Sequence, residues 1–322
     1  MSLKSSAYNG CRKTDNVKQK EEEVLKSFRT WLIPFILAIT LAFFGCNSNS
    51  QPTNPSTLSG SIKIIGSNTV TPLSSVWAEN FMKANPKVSI AVSGPGSGVG
   101  IAALIDGTTD ICQASRRIKA TEIEQAKAKG VNPYEIQVAS DALSVIVNPA
   151  NPLSELTIAQ LSAIYTNKIT NWKEVGGKDA PIVAMARDTN SGTHAFFKEN
   201  VVQMHGLPGA DETLEYGKNV LFLPSTQEGV SQVASNPNAI FYAGLGYVTD
   251  KVKAIAIKKT ASDPAVKPSV ATALDGTYPI SRPLLFYTNG APTGVIKAYI
   301  DYCLSEEGQK VVLQAGFVPI AK

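Results

Sequence analysis

Residues 187–194 read Arg-Asp-Thr-Asn-Ser-Gly-Thr-His, between the apolar run Pro181 to Ala186 and the apolar Ala195-Phe196-Phe197. The pattern predicts a strand that ends at Arg187 and a helix that opens on Ser191-Gly192-Thr193. That arrangement suits a tetrahedral oxyanion. The first-turn N–H groups of a helix have no partner within it, and its dipole favours negative charge there. Gly192 lets the backbone come close, Ser191 and Thr193 add hydroxyl donors, and Arg187 adds a fork of charged ones. Taken alone, the octapeptide reads equally well as a helix N-cap beside a surface arginine.

The same idea recurs twice upstream. Ile65-Gly66-Ser67-Asn68-Thr69-Val70 runs from a strand through glycine and hydroxyls into a helix, and Val92 to Gly100 does so through Gly94, Gly96, Ser97, Gly98 and Gly100. These glycines do not fit G-x-G-x-x-G and no Lys-Ser/Thr pair follows, so a nucleotide loop is not indicated. Each turn by itself is an ordinary βα loop. Three such helix starts in one chain, one beside a guanidinium, point to a shared anion site.

Other chemistry is thinly supported. Ser97 or Ser191 as a phosphatase nucleophile would need a positioned base. His194 follows Ser191 closely, but no acid partner accompanies it, and it reads as a surface first-turn residue. His194 and His205, with Cys112 and Cys303, have no metal-ligand spacing. No metal or cofactor is expected, and the two cysteines read as buried thiols rather than a disulfide.

The positioning elements alternate between strand and helix. Strands are predicted at 62–65, 88–92, 110–114, 136–138 and 143–147, with Ser140-Asp141 between the last two; helices are predicted at 70–84 and 101–105. Thr121 and Glu124 have capping-box spacing and should open a helix that ends at Gly130. Further on come a helix from Thr157 to Tyr165, the strand before Arg187, a helix over 193–202 and a second capping box at Ser225 and Glu228. Strand-like runs follow at 239–242, 254–257 and 284–287, then one long or two short helices over 295–313. This alternation predicts mostly parallel sheets with ligands at the carboxyl ends of strands.

The first 45 residues read as a leader. Trp31 to Phe44 is too short to cross a bilayer comfortably, but it fits a signal-peptide core, and Gly45-Cys46 fits a lipoprotein cleavage site with Cys46 lipidated. Glu21-Glu22-Glu23 is unlike an n-region, which suggests a translation start near Val24 or Leu25; N-terminal sequencing of the precursor tests this, and finding Met1 or Ser2 there would remove the idea. Residues 46–59 are polar, contain two prolines and read as a disordered tether. The remainder is long enough for two lobes with separate cores. Outside the leader, acidic and basic residues nearly balance, and no basic stripe suggests nucleic acid.

From Ser61 to Phe317 the chain resembles the phosphate-binding proteins of Pst-type ABC importers. The resemblance rests on residues 62–71, Asp141 to Pro149, Leu161 to Tyr165, Ile169 to Gly177, Arg187 to Thr193, Ala239 to Tyr247 and Tyr278 to Leu284. It implies an α/β, two-lobe periplasmic-binding-protein fold of type II with two hinge strands: lobe one at 60–141 and 284–322, lobe two at 142–283. It also implies capture of inorganic phosphate between the lobes and delivery to the transmembrane subunits of an ABC permease. The expected form is a monomer, lipid-anchored in the periplasm or on the outer face of the cytoplasmic membrane. Carried over by position, the phosphate ligands are Ser67, Thr69, the N–H of Val70, Ser97, Ser115, Arg187, Ser191, Gly192 and Thr193. Relatives have an aspartate after the serine matching Ser115, as acceptor for the proton of hydrogen phosphate; here Arg116 stands there. Asp141 is the first substitute acceptor and Asp188 the second. A surface lipoprotein for adhesion or sensing, with a relaxed site, is the alternative.

Overall fold

The structure is a computed structural model and describes residues 58–320. The expected signal peptide, Cys46 and all but the end of the tether lie outside the described residues. No helix among the described residues is long and apolar enough to cross a membrane.

The chain opens as β1 (Gly60–Gly66), α1 (Thr71–Ala84), β2 (Val88–Ser93), α2 (Ser97–Ile105), β3 (Ile111–Ala114), α3 (Ala120–Ala128) and β4 (Pro133–Ala142). It continues as β5 (Ser144–Val147), β6 (Glu155–Thr157), α4 (Ile158–Tyr165), β7 (Val183–Arg187), α5 (Gly192–Phe197), β8 (Leu221–Leu223), α6 (Thr226–Ser235) and β9 (Ala239–Ala243). β10 (Lys253–Ala254), β11 (Ala256–Lys258), α7 (Val270–Leu274), β12 (Ser281–Asn289), α8 (Gly294–Leu304) and α9 (Glu306–Gln314) complete it.

Two five-stranded sheets result, ordered β2-β1-β3-β12-β4 and β10-β5-β9-β7-β8, with a small parallel pair β11-β6. β1, β2 and β3 are parallel, as are β7, β8 and β9, while β12 and β5 run antiparallel to their neighbours. Each sheet anchors one lobe. The first packs Trp77, Phe81, Phe286, Tyr299 and Phe317 into its core; the second packs Tyr165, Trp172, Phe197 and Tyr242. Trp77 also donates its indole N–H to Gly308 O at 2.8 Å, which ties α9 to α1. Cys112 and Cys303 are free and buried.

The chain passes between the sheets twice, side by side. β4 runs into β5 through Leu143, and the return enters β12 beside it, pairing Ala142 with Ser281 and Asp141 with Arg282. Leu143 N donates to Ile280 O at 2.9 Å, and the Tyr278 hydroxyl donates to Leu143 O at 2.8 Å. Ser140 and Asp141, expected between two strands, instead lie within β4, because β12 supplies the ladder partner.

Several boundaries differ from the sequence reading for local reasons. α3 is capped two residues earlier than Thr121, at Lys119: the Glu122 carboxylate accepts from Lys119 N at 2.8 Å. The run 254–257 divides between β10 and β11, which belong to different sheets. The helix expected over 193–202 becomes π-helical from Lys198 to Val202. Residues 295–313 form two helices, because Ser305 is extended and caps Gly308 N with its hydroxyl at 3.1 Å.

Candidate anion-binding site

The three predicted turns meet at the interface of the lobes. At the first, β1 ends at Gly66 with φ +148°, where a Cβ would fall 2.0 Å from Gln113 O. That close approach lets Ser67 N donate to Gln113 O at 2.7 Å and starts the turn. Ser67 O then accepts from Val70 N at 3.2 Å and Thr71 N at 3.1 Å, and the Ser67 hydroxyl lies 3.4 Å from Val70 N. The Val70 N–H, expected to be a free donor, is thus engaged within its own turn.

At the second turn α2 starts directly on Ser97. Its hydroxyl accepts from Ser115 N at 3.1 Å and lies 3.4 Å from the Ser115 hydroxyl. Ser97 and Ser115 are both fully buried.

The third turn carries the arginine. Arg187 is only 1% exposed, so the surface-arginine reading is wrong, while the N-cap reading of Ser191 is right: its hydroxyl accepts from Thr193 N and His194 N. Arg187 Nη1 donates to Thr226 Oγ1 (2.6 Å) and Asn68 Oδ1 (3.3 Å), Nη2 to Pro224 O (3.0 Å) and Nε to Leu223 O (3.3 Å). Burial is the main influence lowering its pKa; Asp188 acts against this and Arg282 with it.

Across the lobes the contacts are direct. Thr69 Oγ1 and Thr193 Oγ1 share a hydrogen bond of 2.8 Å. A Cβ on Gly192 would stand 2.2 Å from Ser97 Oγ and 2.8 Å from Ser115 Oγ, so this close fit requires glycine. Gly98 N donates to Asn190 O at 3.0 Å. Asn68 accepts from Arg187 and, at 3.1 Å, from Thr226 N, while its carbonyl accepts from the Tyr247 hydroxyl at 3.0 Å. Ser67, Thr69, Val70, Ser97, Ser115, Arg187, Ser191, Gly192 and Thr193 are all buried in this region.

The acidic candidates separate clearly. Asp141 is fully buried; its Oδ2 accepts from Arg282 Nε (3.0 Å) and Nη2 (2.8 Å), and its Oδ1 from Leu245 N (2.9 Å). Asp188 accepts from Asn190 N at 2.9 Å and shapes the loop. Arg116 pairs bidentately with Glu122, at 2.8 and 2.7 Å.

His194 is buried, not a surface residue. Its Nδ1 lies 2.8 Å from Arg187 O, which can only accept, so Nδ1 carries the proton. Its ring packs on Tyr216 and Phe222. The imidazole supports the end of β7 through Arg187 O.

Sequence reasoning missed Arg282, Asn68 and Thr226. Arg282 carried a signal: a cation between the apolar Ile280 and Leu284 in a buried strand asks for a buried partner. Asn68 and Thr226 gave none, being ordinary turn and helix-start residues.

A model of the PBP superfamily domain matches residues 51–307. The phosphate-binding protein PstS of Pseudomonas aeruginosa is 31% identical over 280 residues, covering 82% of this chain and 84% of that protein. This chain belongs to the PBP superfamily, in its PstS-like branch. A second PstS-like relative, phosphate-binding protein PstS of Bacillus subtilis, is 34% identical over 264 residues, covering 81% of each. Among solved structures, a candidate phosphate ABC transporter substrate-binding protein from Clostridium perfringens, with bound phosphate, is 35% identical. It superposes with a TM-score of 0.70 over 81% of this chain and all of that one. The two-lobe type II fold expected from the PstS-like motifs agrees with these likenesses and with the two sheets described above.

Proposed function

We propose that the chain binds inorganic phosphate between its lobes and delivers it to an ABC-type permease. The observation that carries this reading is the meeting of Thr69 and Thr193 from opposite lobes, 2.8 Å apart, beside the helix start at Gly192. Hydroxyls of Ser67, Thr69, Ser97, Ser115, Ser191 and Thr193, with backbone N–H groups of Val70 and Gly192, are the donors in this proposal. Arg187 supplies charge. Val70 and Arg187 exchange their present partners for the anion when it enters.

Asp141 pairs with Arg282, so Arg187 is the cation left for the anion, with Asp188 beside it in the loop. Charge-assisted hydrogen bonds each contribute about 1.5–3 kcal/mol. Several together outweigh the dehydration of the guest, and micromolar affinity corresponds to about −8 kcal/mol. Binding that bridges both lobes selects the closed form, since the open form offers only half the donors.

Asp141 takes the proton of hydrogen phosphate. A carboxylate has about four lone-pair positions; Arg282 and Leu245 use three of them. Gly244 brings Asp141 and Thr69 together, since a Cβ there would lie 3.0 Å from Asp141 Oδ2 and 3.1 Å from Thr69 Cγ2. Sulfate brings no proton and gains nothing from that acceptor.

The assignment extends to the whole chain as lobe one at 60–141 and 284–322, lobe two at 142–283, and a monomer held at the extracytoplasmic face by lipid on Cys46. The catalysis-free reading is supported by relatives that are named binding proteins. The test is thermal unfolding with and without phosphate. Millimolar phosphate should raise the melting temperature of the wild type by mass action, and Arg187→Ala should remove that rise. An unchanged rise in Arg187→Ala would take the arginine out of the site.

A further inference from the structure

Arg282 and Asp141 face each other on the two crossing strands, both side chains with no exposed surface. A buried ion pair is a poor source of stability, because desolvating both charges offsets most of their attraction. The rest of the guanidinium reaches both lobes: Nη1 donates to Ser115 O at 3.2 Å and to Thr193 Oγ1 at 3.0 Å. The Phe196 ring lies 5.6 Å away.

We infer that Arg282 is a positioning residue which, by occupying a lone pair of Thr193, orients the Thr69–Thr193 hydroxyl pair as a donor to the bound anion. This rests on the phosphate reading above. A guanidinium has five donors and no acceptor, so Thr193 Oγ1 must accept from it. Whichever threonine donates in the Thr69–Thr193 bond, one hydroxyl proton of the pair is then left for a guest. A hydroxyl that accepts from a cation is polarised into a better donor. Its lone pairs are also less available, so this corner accepts only unprotonated oxygen. The same guanidinium holds Asp141, the acceptor, in place. One arginine thereby fixes a donor corner and an acceptor corner, and so sets which way hydrogen phosphate turns.

A double-mutant cycle read by phosphate calorimetry tests this. Arg282→Lys keeps the charge beside Asp141 but lacks the planar fork that spans Asp141, Ser115 and Thr193. It should weaken phosphate binding about tenfold or more, the effect of a charge-assisted bond. In a Thr193→Val background the same change should cost clearly less, because only the hold on Asp141 is then left to lose. Thr193→Ser should restore the full dependence on Arg282. Equal losses in the threonine and valine backgrounds, or none in either, would overturn the inference. Should Arg282→Lys be unfolded, the Asp141→Asn/Arg282→Gln pair takes its place in the cycle, since the neutral pair leaves no lone buried charge. It is compared with the native Asp141–Arg282 pair in the threonine and valine backgrounds. Failure of the wild type to bind phosphate would instead remove the underlying reading.

Discussion

The hydroxyl oxygen of Thr69 lies 2.8 Å from that of Thr193, 124 residues further along the chain. Each begins a helix on a different sheet, so only closure of one lobe on the other brings them within a hydrogen bond. Thr69→Val preserves shape and removes one donor. Phosphate affinity should fall about ten- to hundredfold, the loss of a hydrogen bond to a charged group, while the melting temperature without phosphate barely moves. Calorimetry beside a thermal scan checks both. Unchanged affinity would mean that Thr69 merely closes the interface.

Gly192 is a second control on closure. An added methyl would overlap Ser97 Oγ at 2.2 Å and Ser97 Cβ at 2.7 Å, atoms of the opposite lobe. Gly192→Ala should leave each lobe folded and hold the two apart. Overpacking costs about 1–3 kcal/mol, and here that cost falls on the closed form alone. Phosphate affinity should drop, and small-angle scattering should record a more open shape with and without phosphate. A compact, tightly binding Gly192→Ala protein would show that the lobes have slack at this contact.

How much of this was legible beforehand differs by level. The β/α alternation and the three hydroxyl-glycine turns follow from local pattern, and the structure realises them, with α1, α2 and α5 opening where those turns end. The partners across the interface were not legible, because nothing local distinguishes Asn68 from any turn asparagine or Thr226 from any helix-start threonine. The reach of β4 through Asp141 was hidden because its ladder partner, β12, lies far along the chain. The strand predicted from Leu284 leaves Arg282 outside it, and Asp141 is expected as an acceptor for phosphate rather than as the counter-charge of an arginine. Reading the two together would have required the register of the crossing strands.

His194 gives the fold a pH dependence. Burial lowers its pKa below the ordinary 6.5, against the raising influence of the Arg187 carbonyl. As pH falls below about 6.5, the unfolded chain takes up a proton before the folded one does. Stability from this residue is therefore fully present above that value and lost as pH drops towards and through the folded pKa. Between pH 7.5 and pH 5, melting temperature should fall more for the wild type than for His194→Gln. Parallel curves for the two proteins would mean that the histidine is protonated as easily inside as outside.

The most direct measurement is calorimetric titration of the purified chain with phosphate, and separately with sulfate, near neutral pH. Saturable uptake of one phosphate per chain is expected, with a dissociation constant at or below about a micromolar and sulfate far weaker. An absence of phosphate binding at millimolar concentration, or sulfate bound equally well, would contradict a cleft built around Arg187, the two threonines and the Asp141 acceptor.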